Sequence, residues 1–364
     1  MQRFFTLSIL FIVGITQSAC SQPNNARFQL EDFYSTNPKL DAQVDMVFEQ
    51  LMPDQRVAQM IITSLGKLGK PMNVVEPLVA NHMVGGVIFL SGDPGQFKED
   101  IRRLGDMSVG YPLLMSMDAE PSLFNRRLPG TPPMPATNEL KTIEAIEGAV
   151  QVIDSTLTNI GFHHNYAPVI DVSPDNEAIG NRTLGSDSNA IIPLANAFIL
   201  QTQADQIVAT AKHFPGHGRV SGDTHKKLVY IDGELTEVSL YKPVIDAGVL
   251  SIMVAHIAIE NNEKYGTQGM PSTLSPAVVT DLLRNELGFK GLIITDAMNM
   301  GAVAEIPQST LLAAKAGCDM ILMPPDEAGT ISDIVHAMAT DPSFRRQVEA
   351  SIKRVIRLKL CLGM

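Results

Sequence analysis

The stretch GLIITDAM, Gly291–Met298, runs through Leu292, Ile293, Ile294 and Thr295 and then meets an acid at Asp296. It is too short for a helix and shows no alternation of apolar and polar residues, so as a strand it would be buried on both faces, the mark of a parallel sheet. Runs of the same kind lie upstream and downstream: GGVIFL (Gly85–Leu90), PLLMSMD (Pro112–Asp118), HHNYAPVID (His163–Asp171), QIVATAKHF (Gln206–Phe214), SIMVAHIAI (Ser251–Ile259) and CDMILMPP (Cys318–Pro325). Helical spacings fall between them, at Glu139–Ile160, Pro276–Leu287 and Ser309–Ala316, and before them from Asp41 to Met60. Alternating buried strands and helices imply an α/β fold. A doubly wound sheet and a (β/α)8 TIM-type barrel both suit the length, but no GxGxxG follows the first strand, so the single-domain barrel is expected. In a barrel the C-terminal strand ends share one mouth. Asp118, Asp171, Lys212, His213, His256 and Asp296 all sit at such ends and are expected to converge.

Composition agrees with a well-buried core and excludes other classes. Hydrophobic residues make up 45% of the 364 and charged ones only 18%, against about 25% charged in an average soluble protein. The net charge of -11 repels the phosphate backbone that drives most nucleic-acid binding, so no nucleic-acid partner is expected. Cys20, Cys318 and Cys361 are far apart and odd in number, which gives neither a disulfide framework nor a zinc-thiolate pair. From Leu40 onward there is no Ser/Gly-rich linker, charge block or repeat, so residues 40–364 read as one domain.

The beginning of the chain reads as an address. Arg3 precedes an apolar run from Phe4 to Ile15 and the small residues Ser18 and Ala19, the layout of a signal peptide over residues 1–19. The segment resembles a bacterial lipoprotein signal, which implies cleavage before Cys20, a lipid on that cysteine, and a tether from 20 to 39. The expectation is an exported protein, held in the envelope facing the periplasm and touching the membrane only through its anchor.

The densest chemistry is KHFPGHGRVSGDTH, Lys212–His225, with three of the eight histidines, a lysine and an aspartate. Two readings of these residue types compete. His213, His217, Asp223 and His225 could ligate zinc, although Lys212 is a poor neighbour for a cation and the glycines suggest a loop rather than a rigid cage. Alternatively, Asp223 orients and charges His225 for proton transfer. A third, blander reading has the histidines only capping a turn.

KHFPGHG followed after four residues by DTH resembles the signature of the bacterial β-N-acetylglucosaminidases of glycoside hydrolase family 3. QLMPDQRVAQM (Gln50–Met60), APVIDV (Ala167–Val172), IGNRTLGSD (Ile179–Asp187), TDAMNM (Thr295–Met300) and RVIRLKLCLGM (Arg354–Met364) are similar to further motifs of that family. The resemblance implies a retaining exo-acting hydrolase of terminal β-linked GlcNAc, in peptidoglycan fragments or chitin-type oligomers, with neither metal nor cofactor. It assigns Asp296 as nucleophile and His225 as acid/base with Asp223 as its partner. Lys212, His213, Arg182 and Asp118 would bind the sugar. After Asp118 the family often reads QEGGRV where this chain has AEPSLFNRRL, which leaves open whether Arg126 or Arg127 reaches the sugar. His217 and His256 receive no role beyond packing or loop hydrogen bonds.

Other activities remain in view. Asp118 and Glu120 form a DxE that could support attack by the substrate's own acetamido group, although Glu120-Pro121 reads as a turn. A family 3 phosphorylase could use the same dyad, and a β-glucosidase of the family would ordinarily carry a second domain. Outside enzymology the alternative is an exported sugar-binding lipoprotein, which would need neither Asp296 nor a loop dyad. The chain has no Trp, so sugar recognition is expected to rest on hydrogen bonds in a pocket rather than on a stacking platform.

Overall fold

The structure is a computed structural model that describes residues 28–172, 176–220, 222, 224 and 227–364. Eight parallel strands form the central sheet: β1 Ile61–Leu65, β2 Gly86–Phe89, β3 Leu114–Met117, β4 His164–Asn165, β5 Val208–Phe214, β6 Ser251–Val254, β7 Leu292–Thr295 and β8 Ile321–Leu322. Neighbours in sequence are neighbours in space, and β8 returns to β1 through Ile61↔Ile321 and Ile62↔Leu322. A parallel bridge between Ile294 and Met320 joins β7 to the approach of β8, which closes the TIM-type barrel.

Every residue of these strands is buried, as continuous apolar runs require when side chains fill the barrel on one face and meet helices on the other. The helices have local stop and start signals. In the helix Ile143–Ile160, the Thr142 hydroxyl accepts from the Ala145 N–H at 3.2 Å, and Gly161 ends the helix at φ 110°, a conformation that costs a side-chain-bearing residue. Phe89 of β2 meets Phe97 and Phe162 edge-on at 4.9 and 5.3 Å, fastening the helix Pro94–Met107 to the sheet. Among the described residues no helix is long and apolar enough to cross a membrane.

Four sequence expectations are corrected. A strand absent from the sequence reading, β1, directly follows the stretch read as helical from Asp41 to Met60, which is in fact two helices, Pro38–Gln50 and Pro53–Ala58, broken by Leu51-Met52 ahead of Pro53. SIMVAHIAI is two strands: β6 ends at Val254, and Ile257–Glu260 leaves the barrel to pair in parallel with Val229–Asp232 as a two-stranded ribbon. Only His164–Asn165 of HHNYAPVID joins the ladder as a strand. The tether was expected to reach residue 39, but Phe28, Leu30 and Phe33 are packed in the core and Leu30–Tyr34 is a 3-10 turn. Apolar residues inside a polar stretch thus belong to the fold. Residues 1–27, including Cys20, lie outside the described residues.

Candidate active site

At the C-terminal mouth of the barrel a cavity of about 770 Å³ is lined by Asp118, Arg182, Lys212, His213 and Asp296, among others. These five residues, nominated by the sequence, are therefore brought together from three strand ends and one loop. Asp223 and His225 lie outside the described residues, although Thr224 between them lines the cavity.

Asp296 follows the last residue of β7. Its backbone N–H donates to the Val254 carbonyl at 2.9 Å, continuing the ladder, and its Oδ1 accepts from the Ala297 N–H at 2.7 Å. The side chain is half-buried and opens into the cavity. Lys212 and His213 are consecutive yet both line the cavity, because the β5–β6 register shifts between Lys212 and Phe214. A bulge of this kind re-aims side chains that would otherwise alternate.

Lys212 is 2% exposed, and its Nζ donates to Asp118 Oδ1 and lies against Glu120 Oε1, both at 2.5 Å. Arg127 donates to Asp118 Oδ2 at 3.1 Å and to the Leu90 carbonyl at 2.9 Å, while Arg126 is exposed at the rim. Arg182 holds Glu120 with two bonds, Nε to Oε2 at 2.8 Å and Nη2 to Oε1 at 2.7 Å. Burial alone would raise Asp118, but the Lys212, Arg127 and Arg182 cations outweigh it and hold the carboxyl well below the usual range. The result is a fixed lattice of acceptors and donors suited to hydroxyl groups. Glu120 does not line the cavity. Buried behind Lys212 and Arg182, it is committed to those cations, which argues against the DxE reading.

Asp171 is wholly buried and serves the root of the histidine loop. Its Oδ2 lies 2.7 Å from His213 Nδ1, and its Oδ1 accepts from the His217 N–H at 2.7 Å. Burial would raise this carboxyl too, but the neighbouring His213 and His217 keep it lowered. His217 Nε2 lies 3.1 Å from Thr224 Oγ1, and burial lowers the His217 pKa. Asn176 fastens the same loop, donating to the His217 carbonyl at 2.9 Å. His256 is buried below, with Nδ1 2.7 Å from Thr273 Oγ1 and Nε2 3.0 Å from the Ala297 carbonyl, so it braces the residue after Asp296. Among the described residues no cluster of three His, Cys, Asp or Glu side chains is arranged to hold a metal ion.

Sequence reasoning did not assign Glu120, Asp171 and Asn176 these supporting roles. Asp171 carried a signal, as a polar residue ending an apolar run. Glu120 read as a turn residue because Pro121 follows it, and it does sit at the start of the helix Pro121–Arg127.

The model of the glycosyl hydrolase family 3 N-terminal domain matches residues 52–358. The chain belongs to glycoside hydrolase family 3. As a member it is a glycoside hydrolase, and its relatives narrow the group. It is 30% identical to a β-hexosaminidase of Nitrosomonas eutropha over 276 residues, 69% of this chain and 77% of that one. It is also 30% identical to a β-hexosaminidase of Psychromonas ingrahamii, over 70% of this chain and 80% of the other. Among solved structures, a family 3 β-N-acetylglucosaminidase from a Paenibacillus species superposes with a TM-score of 0.77 at 27% identity, covering 86% of this chain and 63% of that one. A β-N-acetylhexosaminidase from Beutenbergia cavernae gives a TM-score of 0.77 at 25% identity over 86% and 99% of the two chains.

Proposed function

We propose that this family 3 hydrolase removes terminal β-linked GlcNAc from amino-sugar oligosaccharides by a retaining mechanism. The observation that carries the reading is the Asp296 carboxylate opening into a cavity that is also lined by the charged cluster of Asp118, Lys212, Arg127 and Arg182. Asp296 offers a nucleophile to the anomeric carbon and the charged cluster offers fixed partners to the hydroxyls. Asp296 attacks to form a glycosyl-aspartate, and water then releases the sugar with net retention. The leaving oxygen needs a proton and the water must lose one. His225, oriented by Asp223, does both, since imidazole is the side chain suited to giving up and taking back a proton around neutral pH. Lys212, His213, Arg182 and Asp118 hold the sugar. The names of the relatives support the amino-sugar specificity.

The test is turnover of a 4-nitrophenyl N-acetylglucosaminide beside the corresponding glucoside, with and without phosphate, followed by trapping with a 2-fluoro sugar. The expected result is hydrolysis of the GlcNAc substrate without a phosphate requirement and a covalent sugar on Asp296. Labelling of another residue, or full activity in Asp296→Ala, would overturn the mechanism. The chain's place in the cell is also proposed from sequence alone: a lipid on Cys20 anchors it in the envelope, and Cys20→Ser should move it from the membrane to the soluble fraction. A wild-type protein found wholly in the cytoplasm would refute this.

A further inference from the structure

Glu237 lies outside every motif of the sequence reading, yet it is 5% exposed and its carboxylate collects three backbone N–H groups. Oε2 accepts from Val172 at 2.9 Å and from Gly218 at 3.3 Å, and Oε1 accepts from Arg219 at 3.1 Å. Asp171 takes His213 and His217 in the same way. Two carboxylates therefore divide the loop root between them, Asp171 the part that lines the sugar cavity and Glu237 the part that leads onward to 223 and 225. The fit is close: a Cβ on Gly216, which sits at φ 130°, would fall 2.4 Å from the Glu237 Cβ. Behind this stretch is a second cavity of about 600 Å³, walled by Pro215, Gly216, Arg219, the Val229–Asp232 strand and Glu237 itself. The loop thus has open space on both sides, and Glu237 is what ties Gly218 and Arg219 down.

We propose that Glu237 is a positioning residue for the proton-transfer step, fixing the start of the segment that carries Asp223 and His225. The inference rests on the dyad's role given above. A backbone N–H binds an ionised carboxylate more strongly than a neutral one, so the clamp tightens when Glu237 loses its proton. The groups facing it are Asp171 and Tyr241 on the inner side and Arg219, Lys227, Asp232 and Glu234 around the outer cavity. Burial, and after it the charge of Asp171, raises the Glu237 pKa to about 7. The acidic limb of the activity profile should therefore contain a titration belonging to the clamp.

The experiment compares full-length wild type with Glu237→Gln and Glu237→Asp. In Glu237→Gln an amide NH2 must face the Arg219 or Gly218 donor, so turnover of a natural disaccharide should fall about 10²-fold, the scale of lost general acid catalysis. The KM and the rate of sugar transfer from an activated phenol should change by less than about fivefold, and the limb near pH 7 should disappear. Glu237→Asp should recover part of the loss. Equal losses on both leaving groups with an unaltered pH profile would overturn the proposal. A second readout does not depend on activity: in wild type, hydrogen exchange at Gly218 and Arg219, corrected for its intrinsic pH dependence, should slow as pH rises through 7. Exchange indifferent to pH would refute the clamp even if the enzyme is active, and also if the variants fail to fold. Slowed exchange in a protein without glycosidase activity would leave the clamp standing and refute the hydrolase reading.

Discussion

The molecule buries two lysines at opposite ends of the barrel and treats them differently. At the mouth, Lys212 lies between the Asp118 and Glu120 carboxylates, with Arg127 and Arg182 completing the network. At the floor, Lys359 of the last helix, Pro342–Cys361, is 4% exposed and donates only to neutral oxygens: Gln59 Oε1 at 2.6 Å, the Gly85 carbonyl at 2.7 Å and the Pro112 carbonyl at 2.8 Å. The buried carboxylate just before β8, Asp319, is committed to Arg284 and Arg354. The mouth concentrates charge where a polar ligand must be gripped. The floor uses one ammonium as a three-way tie for carbonyls at strand starts, where an unpaired buried acceptor would cost about 1–3 kcal/mol.

The comparison makes its largest prediction for Lys212→Met. Removing the cation leaves Asp118 and Glu120 buried beside each other, and breaking a buried pair this way typically costs about 3–5 kcal/mol. Activity should fall at least about 10²-fold as a sugar contact and the local charge balance are lost together. Urea unfolding and kcat/KM on the GlcNAc substrate would check both, and near-wild-type turnover would show that the charges at the mouth are structural.

Lys359→Met should be gentler. Three acceptors lose their donor but an uncompensated charge leaves the interior, so we expect a loss of about 1–3 kcal/mol with kcat/KM essentially unchanged. A large fall in kcat/KM at full stability would erase the distinction between the two ends.

The smallest effect is a slope. Burial pushes Lys359 down to about 7, below its unfolded value of about 10.4. Between these values the unfolded chain holds the proton and the folded one does not, so stability from this group rises with pH across that window. Urea midpoints measured from pH 7 to 9 should show less of this rise in Lys359→Met than in wild type.

Much of this was legible because strand ends announce themselves. Asp118, Lys212, His213 and Asp296 each close or follow an apolar run, and a parallel barrel gathers such ends at one mouth. What could not be read is pairing at a distance. Glu120 meets Arg182, and Val172 donates to Glu237, across gaps of 62 and 65 residues, and neither partner marks the other in sequence. Boundaries failed where local pattern and tertiary context diverge. Phe28 and Phe33 sit in polar surroundings yet pack inward, and SIMVAHIAI splits at Ala255-His256, where one histidine between two apolar runs is the whole local signal that the chain quits the barrel.

The last helix also has a temporal consequence. Arg357 donates to the carbonyls of Asp32, Phe33 and Ser35 and pairs with Asp41, while Lys359 of the same helix ties down the starts of two strands. The segment Leu30–Tyr34 is therefore fastened by nearly the last one in the chain. A chain emerging from the ribosome cannot complete the barrel until that helix has been synthesised, because contacts of such long sequence separation form late and slowly. Nascent chains stalled before residue 342 should remain open to proteases at their amino-terminal end.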